Sequence, residues 1–238
     1  MDEFVQLWVY LSSTPLFGLT ATLSVYVLAH AVYERLDRAP WANPVLWSVV
    51  LIGGVLLATR TPYPAYFAGA QFVHVLLGPA VVALAWPLWL RRAELRGRGR
   101  ALVLAALAGG AAAAGSAVLL AWMADLPGDV IRSLAPKSVT APVAMGIAER
   151  LRGIPALSAV FAVLTGIVGA MSGKYIFDAL GIRDWTVRGF ALGTASHGIG
   201  AARALQVNAD AGAYAGLALG LQVLLASLLL PLVERWLP

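Results

Sequence analysis

Charge is scarce in this sequence and cysteine is absent: 12% of the 238 residues are charged, 60% are hydrophobic, and the mean hydropathy is +0.80. Soluble domains carry about 25% charged residues, so a soluble fold would have nowhere to place this much apolar surface. The missing cysteines exclude disulfides, thiolate nucleophiles and Cys-type metal sites. Only three histidines are present, His30, His74 and His197, without neighbouring carboxylate pairs. That pattern lacks metal-ligand spacing, so neither a metal nor another cofactor is expected, and His30 and His74 read as structural. Acidic residues are outnumbered 12 to 17 by basic ones. Five of those basic residues, Arg91, Arg92, Arg96, Arg98 and Arg100, cluster between two apolar stretches, which reads as a cytoplasmic loop. A nucleic-acid surface would need a basic face with interleaved aromatics on a soluble scaffold, so no nucleic-acid partner is expected. The N-terminus carries Asp2 and Glu3 where a cleavable signal peptide would be basic.

What the sequence does have is a series of apolar runs. About 20 such residues cross a bilayer as a helix, and several runs approach or exceed that length, so a polytopic, all-α inner-membrane protein is expected, one domain over residues 1–238, with the lipid bilayer as its surroundings. The clearest span is Ala101 to Ala124, which has no proline; Ile154 to Tyr175 is another, with Gly166, Gly169 and Gly173 for close contacts. Pro15 to Tyr33 and Gly212 to Trp236 complete the regular spans, and Pro44 to Thr59 is short. The small residues from Gly109 to Ala117 suit close helix packing and a homodimer.

Three other apolar segments are interrupted. Residues 66 to 90 contain Pro79 and Pro87, residues 127 to 149 contain Pro136 and Pro142, and residues 188 to 205 contain Gly193, Gly198 and Gly200. Proline removes a backbone donor and clashes with the preceding turn, and irregular backbone at membrane depth survives only where protein or a water-filled cavity satisfies it. Broken or re-entrant helices around an internal cavity are therefore expected. Counting arginines sets the 91 to 100 loop inside and the Asp125/Asp129 turn outside. The basic stretches on both sides of the 154 to 175 span agree with this only if 127 to 149 enters the membrane and returns to the side it left. The runs LGPAVV (77–82) and LAPKSV (134–139) share a Leu-x-Pro-x-x-Val pattern, consistent with an inverted internal repeat of the transporter kind.

Two polar clusters fall within the breaks. Lys137 is a cation inside an apolar segment, a costly placement that marks function by default, and Ser138 and Thr140 add hydroxyls. The alternative for Lys137 is a helix-end position from which the side chain reaches the interface. With the free amides of a half-helix, these groups suit a small carboxylate. The second cluster, Thr194, Ser196, His197 and Arg203, lies among three glycines that let a ligand approach the backbone. His197 reads either as a ligand donor or as a group that titrates near neutrality. Asn43 before Pro44 reads as a helix cap or turn, with a site role as the alternative. Ser196 and His197 are adjacent and lack both a nucleophile elbow and a paired acid, which argues against a serine hydrolase; no enzymatic activity is expected.

The runs LLGPAVVALAWPLW (76–89), LAPKSVTAPVAMGIA (134–148), RGIPALSAV (152–160) and GTASHGIGAARAL (193–205) resemble the LrgB/CidB family of bacterial membrane proteins. The resemblance extends from about Asn43 to the end of the chain. It implies two functional alternatives. One is transport of small 2-hydroxy or 2-oxo monocarboxylates (glycolate, glycerate, lactate or pyruvate), as in the similar C-terminal half of the plastidal glycolate/glycerate translocator; the broken segments themselves, by analogy with other carriers, suggest alternating access by an elevator-like motion. The other is an antiholin-like or holin-like role in murein hydrolase activity and autolysis with an LrgA/CidA-type membrane partner. The positions matching the family motifs are Asn43, Pro79, Pro136, Lys137, Ser138, Thr140, Pro142, Thr194, Ser196, His197 and Arg203. One departure is Ala211, where related chains often carry a Glu; Asp210 stands one place earlier.

Overall fold

The computed structural model describes residues 15–76, 79, 86, 89 and 92–232, and no strand occurs among them. They divide between two compact units, residues 1–82 and 83–238. The proposed repeat run at 77–82 lies outside the described residues except for Pro79, which is helical.

The first unit contains α1 (Pro15–Arg35), a 3-10 turn (Pro40–Ala42), α2 (Pro44–Ala58) and α3 (Tyr63–Val75). α1 and α3 touch backbone to backbone at Gly18, where a Cβ would run into the Tyr66 carbonyl. Beside it Thr22 Oγ1 donates to the Gly18 carbonyl at 2.7 Å. That uses its only proton, so Tyr66 Oη donates to Thr22 across the 2.8 Å contact. His30 lies edge-on to both Tyr26 and Tyr33, in keeping with a structural role. Asn43 is the N-cap of α2. Its Oδ1 accepts from the amides of Val45 and Leu46 at 2.9 and 3.2 Å, with Pro44 in the first helical turn where no amide is needed. Of the two roles the sequence allows Asn43, the cap is the one observed, because its acceptor is engaged by the first turn of its own helix.

The second unit contains α4 (Arg92–Met123), α5 (Gly128–Leu134), α6 (Ala141–Arg150), α7 (Pro155–Ala179), α8 (Trp185–Val207) and α9 (Ala209–Leu232). Together with α1, the helices α4, α7 and α9 are long and apolar enough to cross a membrane. α7, with 25 residues, is about 37 Å long at 1.5 Å per residue, and the remaining elements are arranged along it.

Residues 133–154, called hairpin A, leave one end of α7 and come back to it. The Ile154 amide donates to Ser133 Oγ at 2.6 Å, and a Cβ on Gly153 would lie 2.9 Å from the Ser133 amide nitrogen. Twenty residues of chain therefore start and finish at the same level. The outward arm is the turn 135–139, and the returning arm is α6, which runs back beside α7, with Ser158 Oγ donating to the Ala144 carbonyl at 3.3 Å. The chain thus runs out and back over residues 133–154, a range shifted toward α7 from the 127 to 149 segment marked by the sequence. Its Pro142 does not interrupt a helix but sits in the first turn of α6, where the lost amide has no intrahelical partner in any case.

Hairpin B is α8 itself. The helix carries non-helical backbone at Ser196 (φ −126°, ψ 15°) and His197 (φ 42°, ψ −134°), and the chain reverses there. A Cβ on Gly200 would stand 2.7 Å from the Leu192 carbonyl oxygen; in a continuous helix those residues would be about 12 Å apart along the axis. Both arms also reach the start of α9: a Cβ on Gly189 would strike the Ala211 carbonyl, and one on Gly212 would lie 2.6 Å from Leu205 Cα. A straight α8 would separate 189 from 205 by about 24 Å. The sequence marks Gly193 and Gly198 as the breaks, whereas the reversal falls between them. Gly193 is inside the first arm, where its missing side chain admits the Ala215 backbone of α9. Gly198 opens the second arm.

The first arm of hairpin B runs along α7 from its far end, with Leu192 beside Gly173, Ser196 beside Gly169 and His197 beside Gly166. The two hairpins thus enter from opposite ends of α7. Their tips meet near its middle, where a Cβ on Gly198 would lie 3.9 Å from Thr140 Cγ2.

Candidate functional site

Of the polar residues singled out from the sequence, Ser138, Thr140, Ser196 and His197 are carried by the turns of the two hairpins, whereas Thr194 and Arg203 lie in the arms of hairpin B and Asn43 in the first unit. Thr140 is the N-cap of α6, with extended backbone and no capping bond from its hydroxyl. The first-turn amides of a helix have no intrahelical partner, and they give its N-terminus a partial positive charge of about half an elementary unit. The second arm of hairpin B begins in the same place, immediately after His197. Two helix N-termini therefore converge where Thr140 meets Gly198, an arrangement that favours an anion.

Ser138 and Ser196 supply hydroxyls at the two tips. Both side-chain oxygens are buried without a hydrogen-bond partner, and a buried unmade hydrogen bond costs about 1–3 kcal/mol. Ser196 Oγ occupies the space that a side chain on Gly169 would take. Lys137 is half-buried in the turn between Pro136 and Ser138. Pro136 is fully buried and closes the outward arm. Desolvation of an ammonium is costly without a counter-charge, and among the described residues no hydrogen bond or ion pair holds Lys137.

The His197 ring is engaged by the scaffold. Its Nε2 lies 2.7 Å from the Ala162 carbonyl oxygen of α7. A carbonyl only accepts, so Nε2 carries the proton and the ring is tied to the scaffold. The ring fits against α7 because residue 166 is glycine: a Cβ there would stand 2.8 Å from Nε2. With φ positive and ψ near −134°, His197 occupies backbone space that side-chain-bearing residues avoid, at a cost of about 1–3 kcal/mol. Thr194 is also structural. Its Oγ1 donates to the Phe190 carbonyl at 2.8 Å, and its methyl group packs where Gly109 of α4 leaves room. Arg203 is buried in the second arm. Asp210 is in the first turn of α9, whose amides at 210 and 211 are capped by Asn208 Oδ1. That turn adjoins Gly189, at the base of hairpin B, so Asp210 is not at the tips. Ala211 is buried against the same arm.

A cavity of about 470 Å³ flanks the tip of hairpin A, walled by Pro136, Ser138 and Val139, by small residues of α4 such as Gly110 and Ala114, and by Leu225 and Ala226 of α9. Neither Lys137 nor His197 lines it, so it is not the cavity around those two residues that the sequence leads one to expect. Three elements of this centre escape a reading of side chains alone. The Ala162 carbonyl is a backbone group, without a side-chain signal. Gly166 and Gly169 are visible as small residues, but not as the sockets for particular partners. Gln222 Nε2 donates to the Ala106 carbonyl at 2.6 Å and ties α9 to α4; an amide within an apolar span is its available signal.

Comparison with known proteins agrees with the resemblance carried by the motifs. The LrgB-like family matches residues 22–236. An uncharacterized protein of Bacillus subtilis, YwbG, is 34% identical, covering 82% of this chain and 86% of its own. The holin-like protein CidB of Staphylococcus aureus is 27% identical, covering 98% of both chains, and that of Staphylococcus epidermidis is 26% identical, covering 89% of this chain and 92% of its own. No solved structure matches.

Proposed function

This chain belongs to the LrgB-like family, a multi-pass bacterial membrane protein, and from that premise we propose that it carries small organic anions, with 2-hydroxy and 2-oxo monocarboxylates such as glycolate, glycerate, lactate and pyruvate as the substrate class. The observation that supports the reading best is the meeting of two oppositely entering hairpins at Thr140 and Gly198. Half-helix ends at the midplane are how secondary carriers bind substrate and expose it to either side in turn. A carboxylate would take the Lys137 ammonium, the Ser138 and Ser196 hydroxyls and the first-turn amides of α6 and of the second arm. Alternating access would follow from displacing the hairpin-bearing part past the remaining helices.

A second reading has its own support, and the names of the Staphylococcus relatives favour it: they are holin-like proteins. On that reading the chain acts with an LrgA/CidA-type membrane partner on murein hydrolase activity, and the tips hold structure without carrying solute.

Uptake of radiolabelled glycolate and pyruvate into proteoliposomes separates the two. A carrier gives saturable uptake that falls at least about tenfold in Lys137→Ala, since a charge-assisted contact is worth about 1.5–3 kcal/mol. Uptake equal to that of empty liposomes at every pH tested rejects the carrier reading and leaves the holin-associated one.

A further inference from the structure

We propose that the tip of hairpin B is a gate over the site between the two tips and that His197 is the latch that holds it shut. The gate rests on the carrier reading only for what passes beneath it; the latch rests on geometry.

The arms of hairpin B are locked. Gly189 and Gly193 bring the first arm against the backbone of α9, and Ala201 and Ala204 of the second arm are buried with Ala211, Ala215 and Leu219 of the same helix. The tip is held otherwise. Ser196 Oγ has no partner, and the contact between the tips is a methyl group against a glycine. Among the described residues, no hydrogen bond joins one tip to the other. Beyond the packing of Ser196 and His197 into the glycine sockets of α7, the tip is fastened by the bond from His197 Nε2 to the Ala162 carbonyl, made by the residue whose own backbone is in the least favourable conformation of the hairpin. Backbone strain persists only where surrounding structure over-determines it, and such sites cluster at clamps and switches. Here the imidazole bond and the glycine sockets of α7 do so. If that bond breaks, the tip relaxes toward ordinary backbone angles, with Gly198 and Gly200 next in the chain to absorb the change, and Thr140 is uncovered. His197 is therefore a positioning residue, acting on the site through the backbone it holds.

The natural absence of cysteine makes the test free of background thiols. A single cysteine at Thr140, T140C, is reacted with a small charged thiol reagent in four backgrounds: His197, His197→Gln, His197→Gly and His197→Ala. The expected labelling rate is slowest with His197. It is about fivefold faster with alanine, which loses the bond and keeps the strain, fivefold being the shift that one hydrogen bond of about 1 kcal/mol supports. Glycine falls between them because it removes the strain from the closed form, and glutamine, which can still donate to the carbonyl, lies nearer to His197. A cysteine at the exposed Leu180 should label equally in all four, showing that the fold is intact. Equal T140C rates in the four backgrounds would overturn the gate, whether or not uptake is intact. The ordered series without uptake of any acid would leave the gate standing and remove the carrier reading.

Discussion

The two hairpins reverse the chain at the same depth by different physical means. Hairpin A turns through Pro136 and starts its returning arm with Pro142 in the first turn of α6, so its break is written into residues that suit a helix boundary. Its base is closed by the Ile154 amide donating to Ser133 Oγ, and its returning arm is held by Ser158 Oγ donating to the Ala144 carbonyl. Hairpin B turns at Ser196 and His197, neither of which is a helix breaker. Its turn exists because α7 presents Gly166 and Gly169 as sockets and α9 lies close enough to hold both arms. One break is local and the other is imposed by neighbours, so perturbation should affect them differently.

The largest effect is expected where hairpin B meets backbone. In Gly193→Ala the new methyl group would be driven into the Ala215 carbonyl, and no flexible side chain is there to yield. A loss of about 3 kcal/mol, the upper part of the overpacking range, should appear as a fall in Tm measured on the detergent-solubilised protein. Gly115→Ala is the control in the same unit: nothing lies within 4 Å of that position, and an alanine inside a helix gains up to about 1 kcal/mol. Equal tolerance of both substitutions would break the comparison, because it would mean that hairpin B does not depend on close approach.

Hairpin A should lose less. Ser133→Ala removes the acceptor of the Ile154 amide at the base of the hairpin and should cost about 1 kcal/mol, the worth of one ordinary hydrogen bond at a part-buried position. Trypsin nicking within residues 133–154, measured against the intact protein, would show whether the loss is confined to this excursion. The smallest effect concerns Asp184, the exposed N-cap of α8, whose carboxylate accepts from the Thr186 hydroxyl and from the amides of Thr186 and Val187. These bonds, with the Thr186 hydroxyl foremost, hold its pKa below the ordinary aspartate value. A depressed folded-state pKa contributes stability above the unfolded value, about 3.9, and that contribution is lost as pH falls through the folded-state pKa. The Tm difference between the parent and Asp184→Asn should therefore shrink on acidification, and a difference independent of pH would show that the charge contributes nothing beyond the cap.

Much of the site could be read in the primary structure because its chemistry is conspicuous against an apolar background. Lys137, Ser138 and Ser196 stand out as polar groups in segments that should have none, and all three are found at the tips. Thr194 and Asn43 stand out in the same way, yet one bonds to its own helix and the other caps one, since a hydroxyl or an amide in an apolar segment can be satisfied locally as well as by a ligand. His197 is the clearest case of a residue that stands out in the sequence but whose contact does not: an imidazole suggests titration or ligand binding, and nothing in the sequence shows that its Nε2 meets a backbone carbonyl 35 positions away.

Hydropathy, charge placement and proline spacing by themselves determined a multi-pass helical membrane protein with an excursion around Pro136, because the cost of exposing polar backbone to hydrocarbon leaves a chain of this composition few other solutions. Only the tertiary structure decided that residues 185–207 fold back on themselves, that the reversal falls at Ser196 and His197 instead of at the flanking glycines, and that the two polar clusters meet. Those outcomes depend on how closely α7 and α9 approach hairpin B, and close approach is a property of facing surfaces that no single segment contains.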